Sequence, residues 1–155
     1  VLKASVTEPF LLLVGGSEQQ KALYQELAVQ EGIREDCLFT GQVSQRTARR
    51  LLGHAAVLTS TRTEGTNTPL KIYEYLASGT PIVATRVPSH TQVLSDQTCF
   101  LAEPHPSGLA SALHAALTDS GAREARVQAA ADLYRNRYSR EVYSNKMRQL
   151  LKRFR

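Results

Sequence analysis

The chain has 155 residues, enough for one ordinary domain and short of two. Hydrophobic residues make up 42% and charged residues 21%, with nine glycines and six prolines, which excludes a disordered, collagen-like or low-complexity chain. The net charge of +5 is uneven: Asp132 to Arg155 holds eight basic and two acidic residues, a surplus of six, so the chain before Asp132 sums to −1. A basic balance confined to the tail gives no ground for nucleic acid as a partner. Cys37 and Cys99 lie in apolar contexts without CxxC spacing or a nearby His, so reduced, buried thiols are expected rather than zinc or a disulfide framework. No apolar run approaches the roughly 18 residues of a membrane helix, and VLKASVTEPFLLLVGG does not read as a secretory signal. Val1 in place of Met is what a processed chain, or a piece of a longer one, would show.

In chain order, Phe10 to Val14 is an apolar run ending at Gly15-Gly16 and reads as a buried strand. Ser17 is placed to cap a helix over Glu18 to Glu31, with Leu23 and Leu27 on one face and Gly32 as the stop. Cys37 to Thr40 reads as a strand closed by Gly41, Gln45 to Leu52 as a polar helix, and Ala55 to Thr59 as a strand. Ser60 to Asn67 (STRTEGTN) has the composition of a loop. Thr68 and Pro69 then predict a helix start, with Thr68 as cap and Pro69 in the first helical position, running to Ala77 or Ser78 before Gly79 and Pro81. Pro81 to Thr85 and Cys99 to Ala102 read as strands.

Ser107 to Leu117 is an amphipathic helix with Leu109, Ala112, Leu113, Ala116 and Leu117 at helical spacing. A further helix carries Val127, Ala130, Ala131 and Tyr134, and the last aligns Tyr143, Met147, Leu150, Leu151 and Phe154. Short apolar strands alternating with helices predict an α/β fold: a doubly wound parallel sheet of Rossmann type, covered on both faces. Ligands of such folds bind beyond the carboxyl ends of the strands, which singles out the loops Gly15 to Ser17, Gly41 to Ser44 and Ser60 to Thr68.

The segment Ser60 to Glu74 (STRTEGTNTPLKIYE) carries the most chemistry. It leads a strand into a helix start, where free N–H groups and the helix dipole favour an anion, most naturally phosphate. Gly65 allows close approach of backbone to a ligand, and Thr66, Asn67 and Thr68 add small hydrogen-bonding side chains. Glu64 and Glu74 flank this cradle. Carboxylates repel phosphate but accept hydrogen bonds from hydroxyls, so the combination suits a nucleotide sugar.

Glu64 also reads as a solvated loop residue. Glu74 is harder to explain as merely exposed, because Leu70, Ile72, Tyr73, Tyr75, Leu76 and Ala77 surround it. Gly15-Gly16 reads either as a ligand-facing turn or as close strand–helix packing, and the absence of GxGxxG argues against a dinucleotide-dependent dehydrogenase. His54, His90, His105 and His114 are scattered without ligand spacing and are read as surface or packing residues.

The run TSTRTEG, PL and EYLASGTPIVAT resembles the signature of the retaining GT-B glycosyltransferases of family 4, the "group 1" type. LLLVGGSEQQKALYQELA, LFTGQV and HAAVLTSTR are similar to the same family's earlier units, so the resemblance covers nearly the whole chain. It implies the carboxy-terminal, donor-binding domain of an enzyme that transfers a hexosyl unit from a UDP- or GDP-linked sugar, with no metal and no other cofactor. By the same resemblance Glu74 holds the ribose hydroxyls, Glu64 contacts the transferred sugar as the catalytic carboxylate, and the backbone from Gly65 to Leu70 holds the diphosphate. Val43 lines the base pocket, and Gly15 and Gly16 are further donor contacts.

The family's two glutamates stand two residues closer together than Glu64 and Glu74 do, so the loop must bulge or Thr66 takes the usual glutamate place. Lys71 reads as a phosphate contact or as an exposed helix lysine. The Arg and Lys that clamp the diphosphate in the family have no match in Arg62 or Lys3.

The amino-terminal acceptor domain of the family is absent from this sequence and is its implied partner, so no transfer by this chain alone is expected. A sugar-nucleotide epimerase, a phosphorylase or a non-catalytic nucleotide- or partner-binding module are the alternatives. The basic tail reads as a solvated helix face or as a contact with anionic lipid or a lipid-linked acceptor. The implied location is cytoplasmic, extending to the inner face of a membrane.

Overall fold

A computed structural model describes residues 10–154; Val1, Lys3 and Arg155 lie outside the described residues. Its contacts divide the chain at Leu51/Leu52 into two units. In the first, β1 (Leu11–Leu13) leads through Gly15-Gly16 into α1 (Glu18–Gln30). A 3-10 turn (Arg34–Asp36) then precedes β2 (Cys37–Phe39) and α2 (Gln45–Leu52). The expected cap at Ser17 forms as a capping box: its hydroxyl accepts from Gln20 N–H while the Gln20 side chain accepts from Ser17 N–H. β1 and β2 pair in parallel with Leu11 opposite Cys37. Beyond their carboxyl ends Gly15 N–H donates to Gly41 C=O at 2.8 Å, which draws the two glycine turns together.

The second unit holds a three-stranded parallel sheet in the order β3 (Leu58–Ser60), β4 (Ile82–Thr85), β5 (Phe100–Ala102). Its helices are α3 (Lys71–Ala77), α4 (Pro88–Thr91), α5 (Pro106–Thr118), α6 (Ser120–Leu133) and α7 (Arg140–Lys152), with a wide π turn over Tyr134–Tyr138 before α7. β4 is the central strand and buried throughout. Because side chains alternate along a strand, Ile82 and Ala84 enter one layer and Val83 the other. The first layer joins them to Ile72 and Leu76 of α3, Ala130 of α6, Leu94 and Cys99. The second joins Val83 to Phe100, Ala102 and Ala116 of α5. Helices on both faces of a parallel sheet are the α/β architecture that the sequence predicts.

Cys37 and Cys99 are buried free thiols, and burial pushes the Cys99 thiol up to about 12. α4 was not foreseen: Val87 is extended and Pro88 fits the first helical position after it. α5 begins a residue before the expected Ser107, because the His105 imidazole caps it, Nδ1 accepting from Gly108 N–H at 3.0 Å. The expected apolar stripe of the last helix faces outward: Tyr143, Leu150, Leu151 and Phe154 are all exposed. No described helix is long and apolar enough to cross a membrane.

Candidate functional site

β3 ends at Ser60, whose side chain is fully buried. A hydroxyl there needs a partner, and it finds the buried His90 at 2.8 Å from Nε2. On the other side of the ring Nδ1 lies 2.9 Å from the Thr85 carbonyl oxygen, an acceptor only. Nδ1 therefore carries the proton, and Nε2 accepts from Ser60. Burial holds His90 below the ordinary histidine range against the opposing bond to Thr85, and Lys71 and Arg62 add to the lowering. The Thr85 hydroxyl in turn donates to the Arg62 carbonyl. Ser60, Thr85 and His90 thus tie the ends of β3 and β4 to the start of the loop.

The loop's carbonyls are tied as well. Gly65 C=O accepts from Ser89 N–H at 3.1 Å, Thr66 C=O from the Gln92 side chain at 2.7 Å, and Asn67 C=O from Arg62 Nη1 at 3.4 Å. The N–H groups of Gly65 through Thr68, and of Leu70 and Lys71, make no backbone hydrogen bond among the described residues. Gly65 has φ +122°, open to glycine and strained for other residues. N–H groups that no backbone carbonyl takes up are donors available to a ligand.

The helix after the loop starts later than expected. α3 begins at Lys71, Leu70 already has helical φ and ψ, and no side chain caps it, so Thr68 does not serve as the cap. Ile72 N–H instead reaches Pro69 C=O at 3.0 Å and Tyr73 N–H reaches Leu70 C=O at 3.2 Å, a tight turn that opens the helix.

Within α3, Ile72 and Leu76 face the core, Glu74 is half-buried, and Glu64 lies exposed in the loop. Lys71 reaches back so that Nζ donates to Thr59 C=O at 3.4 Å and sits 5.6 Å from the Tyr75 ring centre. The Tyr75 hydroxyl donates to the same carbonyl at 3.3 Å. Burial, then Arg62, lowers the Lys71 pKa, whereas burial, then Glu74, raises that of Tyr75.

The second unit therefore brings Glu64, Gly65, Thr66, Asn67, Thr68, Leu70 and Glu74 onto one loop and helix. In the first unit, Gly15 and Gly16 (φ +99° and +87°) lie in the turn after β1, bridged to the turn that leads to the half-buried Val43. Sequence reading missed the platform of Ser60, Thr85, Ser89 and His90. Its signal was present: residues 86–91 follow the carboxyl end of β4, the side on which ligands of such sheets bind. Among the described residues no three His, Cys, Asp or Glu side chains are grouped to hold a metal.

Residues 2–119 match the family described as glycosyl transferases group 1. The chain belongs to the group 1 glycosyl transferases. Solved structures with the same fold include sucrose-phosphate synthase from Thermosynechococcus elongatus, 23% identical over 93% of this chain and 38% of that one, with a TM-score of 0.80. Anabaena HepE, crystallised with UDP, is 18% identical over 97% of this chain and 43% of its own, with a TM-score of 0.83. A glycosyltransferase from Rickettsia africae is 19% identical over 98% and 41%, with a TM-score of 0.82. The group 1 chain described here thus spans about two fifths of the length of these proteins. No curated protein matches it in sequence.

Proposed function

We propose that this chain is the donor-binding half of a retaining group 1 glycosyltransferase, holding a UDP- or GDP-linked hexose. The observation that carries the reading is the loop Gly65–Asn67, its three carbonyls bound and its N–H groups open, leading into the half-buried Glu74. Such a loop receives a diphosphate through backbone, and a carboxylate beside it accepts from ribose hydroxyls. Glu64 faces the transferred sugar, and Thr66 to Leu70 frame the phosphates. The UDP complex of HepE supports a nucleotide diphosphate as the ligand class. Acceptor binding and transfer belong to an amino-terminal half, a partner supported by the length of the structural neighbours.

Calorimetric titration with UDP, GDP and ADP tests the reading. One of them is expected to bind, and Glu74→Gln to weaken it about tenfold, the loss of a charge-assisted hydrogen-bond acceptor. No binding of any of the three at millimolar concentration, to this chain and to the full-length protein alike, overturns it.

The tail completes the proposal. α7 exposes Tyr143, Met147, Leu150 and Leu151 on one stripe, with Lys146 and Arg148 exposed beside it and Arg153 and Phe154 exposed just past its end, a pattern suited to an anionic lipid surface. Sedimentation with phosphatidylglycerol vesicles should carry the chain down, and removal of residues 139–155 should abolish it. Unchanged binding after removal ends that part of the proposal.

A further inference from the structure

We propose that Gln92 is a positioning residue of the donor loop, holding the peptide between Thr66 and Asn67 so that the Asn67 N–H faces the ligand. The inference rests on the donor reading above and adds to it a side chain from outside the loop and α3.

The Gln92 side chain meets the Thr66 carbonyl oxygen at 2.7 Å. That oxygen only accepts, so the amide nitrogen of Gln92 faces it and donates. One peptide earlier, Ser89 N–H donates to Gly65 C=O at 3.1 Å. Two consecutive peptides of the loop are thus held through their oxygens, both by α4 and its C-cap residue. A trans peptide is planar, and its C=O and N–H point in opposite directions. Fixing the carbonyls of Gly65 and Thr66 on α4 therefore turns the N–H groups of Thr66 and Asn67 away from α4. Neither N–H makes a backbone hydrogen bond among the described residues, so both remain available to a ligand.

Gln92 is well placed to hold a neighbour because its own backbone is anchored. Its N–H donates to Pro88 C=O at 3.2 Å. Two residues earlier, the buried His90 ring is held by Ser60 and by the Thr85 carbonyl. Two residues later, Leu94 packs in the core with Ile72 and Leu76. The loop also rests on α4 at Gly65, where a Cβ would stand 3.7 and 3.8 Å from Oγ and Cβ of Ser89, ordinary contact distances. The hold at Gly65 is backbone to backbone, whereas the hold at Thr66 depends on one side chain. That side chain is exposed, so it can be altered without opening the core.

Without the bond to Gln92 the Thr66–Asn67 peptide is free to turn. A ligand would then have to order it at the moment of binding, and that ordering subtracts from affinity. Gln92 fixes the donor direction in advance.

The test compares wild type with Gln92→Met, which keeps the length and removes the donor, and Gln92→Glu, which keeps the shape and sets an acceptor against the carbonyl. Nitrogen-15 relaxation is measured without ligand, and each protein is then titrated with UDP and with inorganic pyrophosphate. The order parameter of the Asn67 N–H should fall from about 0.85 in wild type to below about 0.6 in both variants. Order in α5 and the urea midpoint should not change, whereas a purely structural role for Gln92 would lower the midpoint. UDP and pyrophosphate should bind about fivefold more weakly to both variants, the effect of one net hydrogen bond.

Asn67 equally ordered in all three proteins overturns the positioning role, and UDP bound by wild type then leaves the donor reading standing. A looser Asn67 with undiminished affinity for UDP also overturns it, because the ligand then does not use that N–H. A looser Asn67 with weakened pyrophosphate binding, and no UDP bound by any form, supports the positioning role and removes the donor reading. Failure of wild type to bind either ligand overturns both.

Discussion

His90 joins the ends of two strands through a neutral ring, so acid acts on it directly. Its pKa is lowered in the folded chain, chiefly by burial, while the unfolded chain titrates near the ordinary value of about 6.5. As pH falls the unfolded state takes up the proton first, so this stabilisation is complete above about pH 6.5 and is lost progressively below it. Urea midpoints should fall on acidification through this range, with a shallower slope in His90→Gln. His90→Ala leaves the buried Ser60 hydroxyl without its acceptor and should cost about 1–3 kcal/mol in the same measurement at neutral pH. Gly65→Ala meets no close atom but forces alanine to φ +122°, so a loss of about 1–3 kcal/mol is expected from conformation alone. Gly65 and Glu74 stand out in the sequence by residue type and local surroundings, which is why the proposed donor site includes them. The role of His90 does not stand out, because its partner Ser60 lies thirty residues earlier and the two meet only once β3 and β4 are paired.

At the scale of elements, α3 shows what local rules reach and where they stop. Its apolar content predicted burial, and Ile72 and Leu76 are the core residues it supplies. Leu76→Ala should cost about 2–5 kcal/mol by urea unfolding, with the helix still formed. Its first turn was misplaced because a Thr-Pro pair fits both a capped helix start and the turn found at Pro69–Tyr73, and the chain's exit from the loop decides between them. The third strand was expected at Ala55 to Thr59 and forms at Leu58–Ser60, because pairing with β4, Leu58 opposite Ile82, fixes its limits. α4 has only four residues, too few to show a helical period.

For the whole molecule, the donor reading separates binding from turnover. The chain alone should bind its nucleotide without transferring sugar from UDP-glucose or GDP-mannose, measured as nucleotide release in the presence and absence of an amino-terminal half supplied in the full-length protein. Nucleotide release by this chain alone would refute that division.

The ring of Tyr73 in α3 meets that of Tyr138 in the wide turn, edge to face, with centres 5.0 Å apart. The helix bearing Glu74 is thereby stayed by the turn from which α7 departs. Load placed on α7 by anything that grips its exposed stripe reaches α3 through this pair and through Tyr134 and Tyr138 packed on the core of Ile72 and Leu76. Tyr138→Ala should slacken that stay, speeding amide exchange in α3 while leaving α5 as protected as before.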